Sequence, residues 1–282
     1  MKEQYERTRL LFGESAMKKL AASRVAIFGI GGVGGYVMEA LARSGIGTLD
    51  LIDADRVDET NINRQILATH DTIGRYKVEV AKERVHAIDP AIRVNTHAVF
   101  YLPATAASFD FSAYDYVVDA VDTVTAKLDI IQQALAAGVP VLSSMGCGNR
   151  IDPSALAITD IYRTHNDPLA KIMRRELKKR RIRKLKVLCS EELPLQPLHE
   201  ASSAETPAGG TSPDSISDGA ADSASAGKTP SGEHSRRRSI PGSTAFVPPA
   251  AGLLIASEVV MDLTGFDPAP HHKGGRQQPL SR

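Results

Sequence analysis

The stretch FGIGGVGGYVMEALARSGIGTLDLIDAD, Phe28 to Asp55, places a glycine-rich turn that includes Gly29, Gly31, Gly32 and Gly34 between an apolar run and a helical one. A glycine-rich turn leading from strand into helix offers backbone N–H groups and the positive end of the helix dipole to a phosphate. Gly29 permits the tight turn, Gly31 and Gly32 let N–H groups approach phosphate oxygens, and Gly34 lets the helix pack close to the strand. Asp53 ends the next apolar run, where an acid can accept hydrogen bonds from ribose hydroxyls. These features predict a nucleotide site on an α/β fold. Taken alone they fit NAD as well as ATP.

Outward from this turn, apolar runs of strand length alternate with amphipathic helical stretches. RVAIFGI (Arg24 to Ile30) precedes a helix from about Val33 to Arg43, and TLDLID (Thr48 to Asp53) precedes a helix from Lys77 to Ile88. IRVNTHAV (Ile92 to Val99), YDYVVDAVD (Tyr114 to Asp122), a helix over Ala126 to Ala137 and PVLSSMG (Pro140 to Gly146) complete the series. Such alternation predicts a doubly wound, mostly parallel sheet of Rossmann-like type, helices on both faces and ligands at the carboxyl ends of the strands. Two more strands are expected, ALAITDI (Ala155 to Ile161) and LKVLCS (Leu185 to Ser190), with a very basic helix between them.

The composition then changes. From His199 to Ser239 the only large aliphatic residue is Ile216, and Ser, Ala, Gly, Pro and Asp dominate. A segment so poor in apolar surface cannot offset its ordering entropy. The expected organisation is a nucleotide-binding domain over 1–190, a disordered insertion over 191–240, a C-terminal helix over 241–265 completing the domain, and a flexible tail over 266–282. The longest apolar run, Ala245 to Leu263, carries two prolines and Glu258, and reads as a buried helix rather than a membrane span.

The residues after Asp53 separate the two nucleotides. DADRVDETNINRQ ends in Asn61, Asn63, Arg64 and Gln65, and Lys77 opens a helix soon after. A dehydrogenase holds its pyrophosphate mainly by backbone, whereas an enzyme that cleaves a triphosphate must neutralise several oxygens and the charge growing on the leaving group. Arg64, Lys77 and a magnesium ion on Asp122, at the end of YDYVVDAVD, suit that need. Each also has a plainer reading, Arg64 and Lys77 as solvated charges and Asp119 or Asp122 as a helix cap.

GxGGVG, LIDxDxVxxxNxNRQ, the lysine of GRYK and VVDAVD, met in that order, resemble the E1-like adenylating superfamily, which includes the activators of ubiquitin-like and sulfur-carrier proteins. The resemblance implies nucleotide binding by Gly31, Gly32, Asp53, Asp55, Asn63, Arg64, Gln65 and Lys77, with Asp122 on magnesium. It also implies that Arg7, in YERTRLLFG, reaches into the site of a second subunit, and hence a homodimer.

RLLFGESAMKKL, IDPSALAITDIYRTHNDPLAKIMRRELKKR and GSTAFVPPAAGLLIASEVV extend the resemblance, to the tRNA threonylcarbamoyladenosine dehydratases, ThiF/MoeB-like or HesA-like members of that superfamily. The reaction so implied is ATP-dependent ring closure of threonylcarbamoyladenosine in tRNA, through adenylation of its threonyl carboxylate. Activation of a sulfur carrier is the alternative, with a sulfur-relay protein as a candidate partner. Against it, the chain has two cysteines, Cys147 and Cys189, and so lacks the paired zinc cysteines usual in those activators. Neither cysteine stands in a setting that would lower its pKa.

Net charge is only +1, so bulk electrostatics name no partner. Between Lys171 and Lys186, however, ten residues are Lys or Arg against the single acid Glu176. This local excess points to a phosphate backbone, with Lys171, Arg174, Arg175, Lys178, Lys179 and Arg181 as the expected RNA contacts. With no leader ahead of Met1 and few cysteines, the chain reads as cytoplasmic, without membrane attachment.

Overall fold

The computed structural model describes residues 2–198 and 241–267. Met1–Leu195 and Gly242–Arg282 form one compact unit, and Gln196–Pro241 a second. The predicted disorder and the predicted tail fall almost wholly outside the described residues.

The first unit is a seven-stranded sheet. Strands β1 (Arg24–Phe28), β2 (Thr48–Ile52), β3 (Arg93–His97), β4 (Tyr116–Asp119), β5 (Val141–Ser144), β6 (Leu156–Asp160) and β7 (Lys186–Ser190) lie in the order β3-β2-β1-β4-β5-β7-β6. Every pairing is parallel except β6 with β7. The order reverses between β1 and β4, the switch point at which doubly wound sheets bind ligands. Strands β2, β4 and β5 are buried along their whole length, as expected of strands covered on both faces, and they carry buried polar residues, including Asp50, Asp119, Ser143 and Ser144, among their apolar ones.

The described residues also form six α-helices: α1 (Glu6–Ala22), α2 (Gly34–Arg43), α3 (Lys77–Ile88), α4 (Val124–Ala136), α5 (Pro168–Lys179) and α6 (Val247–Thr264). Two clusters of buried side chains fill the space on either side of the sheet. One gathers Val37, Leu41, Ile255 and Val259 from α2 and α6, and the other Ile130, Ile131, Met173 and Leu177 from α4 and α5. Helix α6 is long and apolar enough to cross a membrane by composition, but over half of it is buried in the molecule, against α2 and the sheet. It is the expected core helix.

Two differences from the sequence reading have physical causes. Helix α1 carries no clean apolar stripe: Leu10 and Leu11 are 74% and 73% exposed, and Gly13 breaks the helix at φ +80°. The basic run is not one helix either. Helix α5 stops at Lys179, Arg181 adopts a left-handed φ of 59°, and Lys186 opens β7, where its Nζ pairs with Glu258 and Asp262 of α6.

Candidate active site

At the switch point Gly29 has φ +88°, and a Cβ there would lie 2.6 Å from the carbonyl oxygen of Ala120, just beyond β4. A Cβ on Gly34 would lie 1.8 Å from the Gly29 oxygen, so only glycine lets the turn close onto the first residue of α2. Among the described residues, a Cβ on Gly31 would meet Gln65 Nε2 at 3.8 Å, an ordinary contact, whereas one on Gly32 would lie 3.1 Å from Pro248 Cβ at the start of α6 and 3.6 Å from Arg64. Glycines 29 and 34 therefore shape the turn, Gly31 leaves room beside the helix N-terminus, and Gly32 lets α6 approach closely.

Asp53 ties this turn to the next bend. Its Oδ2 accepts the Ile30 N–H at 2.7 Å and its Oδ1 the Asp55 N–H at 2.8 Å. Burial pushes its pKa above the usual carboxylate range, against the opposing pull of Lys77. Each oxygen keeps lone-pair capacity for a ribose hydroxyl. Asp55, by contrast, turns to Lys77: its exposed Oδ2 accepts from the lysine Nζ at 2.7 Å, and the lysine side chain is only 6% exposed. Lys77 is delivered there because segments 55–57 and 74–77 pair through Val57 N–H to Arg75 O and Lys77 N–H to Asp55 O.

The NINRQ segment is set by local caps. Asp58 accepts the Thr60 N–H, Asn61 Oδ1 accepts the Asp58 N–H, and the turn continues with the Arg64 and Gln65 N–H groups on Asn61 O. The Asn61 side chain is thereby spent on the backbone. Arg64 Nη1 donates to Thr60 O at 2.7 Å and to Asn63 Oδ1 at 2.8 Å, leaving Nε and Nη2 without a hydrogen bond among the described residues. Gln65 is buried beside Gly31, and its Oε1 has no partner among the described residues. A buried acceptor without a donor costs free energy until a ligand supplies one.

Beyond β4, Asp119 and Asp122 part company. Asp119 is fully buried, pairs with Lys127 Nζ at 3.1 Å, and accepts from Ser143 and from the Val121 N–H. Lys127 completes its shell on Ser144 O at 2.7 Å. This triad, which the sequence reading did not include, fixes the bend that carries Asp122. Asp122 itself is exposed, two residues past the Ala120 carbonyl that faces Gly29, with no partner among the described residues. No group of three or more His, Cys, Asp or Glu side chains able to hold a metal occurs among the described residues. Magnesium takes one or two carboxylates together with substrate phosphates, a donor set that the single open carboxylate of Asp122 fits.

Burial pushes both thiols up to about 11, Cys147 after β5 and Cys189 within β7. Neither is a nucleophile near neutral pH. Arg7 is exposed on α1, away from any described partner.

On α5 the expected RNA contacts divide. Lys171, Arg175, Lys178 and Lys179 are exposed, as is Arg181 just beyond the helix. Arg174 is half-buried, its Nη1 donating to Thr164 O and Oγ1. Glu176 pairs with Arg175, Lys179 and Arg180, and these cations, Lys179 first, pull its pKa down to about 2. The one acid of the run thus partly neutralises three of its cations.

The sequence signature of the ThiF family matches residues 5–278. The chain is 38% identical to a tRNA threonylcarbamoyladenosine dehydratase of Bacillus subtilis over 93% of this chain and 95% of that protein. It is 40% identical to the enzyme of that name from Escherichia coli over 63% of this chain and 66% of that protein. Among solved structures, the E. coli tRNA N6-threonylcarbamoyladenosine dehydratase in complex with ATP superposes with a TM-score of 0.75, at 29% identity, covering 93% of this chain and 94% of that one.

Proposed function

The chain belongs to the ThiF family, and from that premise we propose that it is an ATP-dependent tRNA threonylcarbamoyladenosine dehydratase. The observation that supports this reading is a glycine turn at the switch point, bordered by Arg64 and Gln65, in a chain whose two thiols are both unreactive by burial. Activators that hand their substrate to an enzyme cysteine need a thiolate, and both thiols here are held protonated. The group that displaces AMP must then belong to the substrate itself.

The chemistry balances without an enzyme nucleophile. A threonyl carboxylate oxygen attacks the α-phosphorus of ATP, and pyrophosphate leaves. A nitrogen or oxygen of the same modified base next attacks the activated carbonyl carbon, AMP departs with the carboxylate oxygen, and the attacking group loses its proton. The nucleoside is lighter by one water. Residues of this chain serve these steps by position and charge: Asp53 holds the ribose, Gly31 and Gly32 admit the phosphates, and Gln65 Oε1 accepts from a nucleotide hydroxyl or amino group, since phosphate oxygens cannot donate to it. Arg64 offers its open N–H groups to the triphosphate. Lys77 trades Asp55 for a phosphate oxygen, an exchange that keeps its buried charge paired. Magnesium, when bound, supplies charge neutralisation on the phosphates, and Asp122 is the residue that would hold it.

Asn63, which the resemblance assigned to the nucleotide, is occupied by Ser243 O and Arg64. We read it as a support for Arg64. The basic face of α5 and the turn after it serve the tRNA backbone, through Lys171, Lys178 and Arg181 first, because these lack the Glu176 pairing. A homodimer completes the assembly: exposed Leu10 and Leu11 lie on the helix that carries Arg7, the surface that an adjoining subunit would cover while receiving that arginine. The reading places the enzyme in the cytoplasm with its tRNA.

The test is mass spectrometry of nucleosides from tRNA bearing threonylcarbamoyladenosine after incubation with protein, magnesium and ATP. A product lighter by about 18 Da, dependent on ATP and absent for Arg64→Ala, is the expected result; one water is what an adenylate displaced from within the nucleoside removes. An unchanged nucleoside, with pyrophosphate exchange provoked instead by a small Gly-Gly-ending protein, would return the assignment to sulfur-carrier activation.

A further inference from the structure

The loop after β5 holds an asparagine in the left-handed region, Asn149 at φ 58°, that the adenylation chemistry does not employ. Its backbone and side chain grip two distant points of the chain. Asn149 O accepts the Leu195 N–H at 2.7 Å, Asn149 N–H donates to Gly242 O at 2.8 Å, and Asn149 Oδ1 accepts the Gly242 N–H at 2.6 Å. The base of this grip is fixed. The neighbouring Arg150 is 2% exposed, and its guanidinium donates to Gly146 O, Asn166 O and Glu192 O beside the buried Asp167. Asp167 in turn accepts the Gly146 N–H at 3.0 Å and caps α5.

From Gly242 the chain runs over the nucleotide site. Ser243 O accepts from Asn63 Nδ2 at 3.1 Å, Asn63 Oδ1 accepts from Arg64 Nη1 at 2.8 Å, and Pro248 borders Gly32. We propose that Asn149 is a positioning residue for Arg64: by fixing Gly242 it places the Ser243 carbonyl that orients Asn63, and through Asn63 the guanidinium. This rests on the reading of Arg64 as a triphosphate contact. Preorganisation of that kind appears in ligand affinity, since an arginine left to wander must be ordered on binding.

Three variants decide it, in the full chain, with calorimetric titration of ATP in the presence of magnesium. Asn149→Gly keeps the left-handed backbone but removes Oδ1, and is expected to weaken ATP binding roughly fivefold, the worth of one net hydrogen bond. Asn149→Asp keeps both an acceptor and tolerance of positive φ, and is expected to bind within about twofold of the parent. In an Arg64→Ala background, Asn149→Gly is expected to add nothing, because the pair acts as one unit. Thermal melts accompany each titration to show that every variant is folded. Parent-like affinity in Asn149→Gly, a full additive loss in the double variant, or no rescue by Asp overturns the proposal while leaving the role of Arg64 standing. Parent-like ATP binding by Arg64→Ala removes that role, and the proposal with it.

Discussion

Replacing Gly31 by alanine separates a phosphate cradle from a turn that is merely well packed. Gly31 lies outside the left-handed region, and among the described residues a Cβ built there would meet only Gln65 Nε2 at 3.8 Å, an ordinary contact. In the ligand-free protein the substitution is therefore free of strain and removes backbone freedom from the unfolded chain, worth about 0.4–1 kcal/mol of added stability. For a chain of this size that raises Tm by roughly 1–4 °C. Binding responds in the opposite sense. The new methyl occupies the space through which a phosphate oxygen approaches the backbone N–H groups, and losing one charge-assisted hydrogen bond costs about 1.5–3 kcal/mol. ATP affinity is expected to fall roughly ten- to hundredfold by calorimetry, at about 1.4 kcal/mol per decade. Gly34→Ala is the contrasting control: its Cβ would lie 1.8 Å from a backbone oxygen, so Tm and binding drop together. A Gly31→Ala protein that melts as expected and binds ATP like the parent would show that the phosphates do not rest against this turn.

Lys127→Met strands the fully buried Asp119 without its cation and is expected to cost about 3–5 kcal/mol in urea unfolding, with part recovered on adding Asp119→Asn; equal losses in single and double variants would contradict the pairing. Cys147→Ala is expected to retain dehydratase turnover, and both thiols of the parent should resist alkylation at pH 8. Their folded pKa of about 11 exceeds the ordinary 9.0, so their contribution to stability is complete below 9 and is lost as pH rises from there through 11. Alkaline unfolding of a Cys147→Ala, Cys189→Ala variant should accordingly be flatter over that window than the parent's. Glu176→Gln releases Arg175, Lys179 and Arg180, and tRNA binding measured against salt should tighten and steepen, by up to about one in the slope; an unchanged slope would mean that α5 does not meet the phosphates.

The sheet was legible in the sequence because most of its strands are largely apolar runs bounded by glycine, proline and aspartate, and the tight turn after β1 because Gly29 and Gly34 answer to close approach. Helix α1 was not, since its exposed leucines and Gly13 erase the period that marks a helix against a core. Two aspartates close together after a buried run could not be told apart by type. Burial alone makes Asp119 a structural ion and leaves Asp122 open. Lys186 looked like the end of a basic patch because its partners, Glu258 and Asp262, are remote in sequence. Asn149 gave no signal at all, for its partners, the Leu195 N–H and both backbone groups of Gly242, are brought within reach only by the folded chain.

That asparagine has a consequence for the length of the chain. The chain departs at Leu195 and returns at Gly242 through hydrogen bonds to one residue, so the gate between them has a fixed width whatever passes through it. Closing a loop costs only about 0.6 kcal/mol more for each doubling of its length. By that scaling, lengthening or shortening the chain between the two gateposts is expected to cost the fold little. The same tolerance makes Gln196–Pro241 the natural berth for a grafted reporter or affinity module, with dehydratase activity as the check that the gateposts have not shifted.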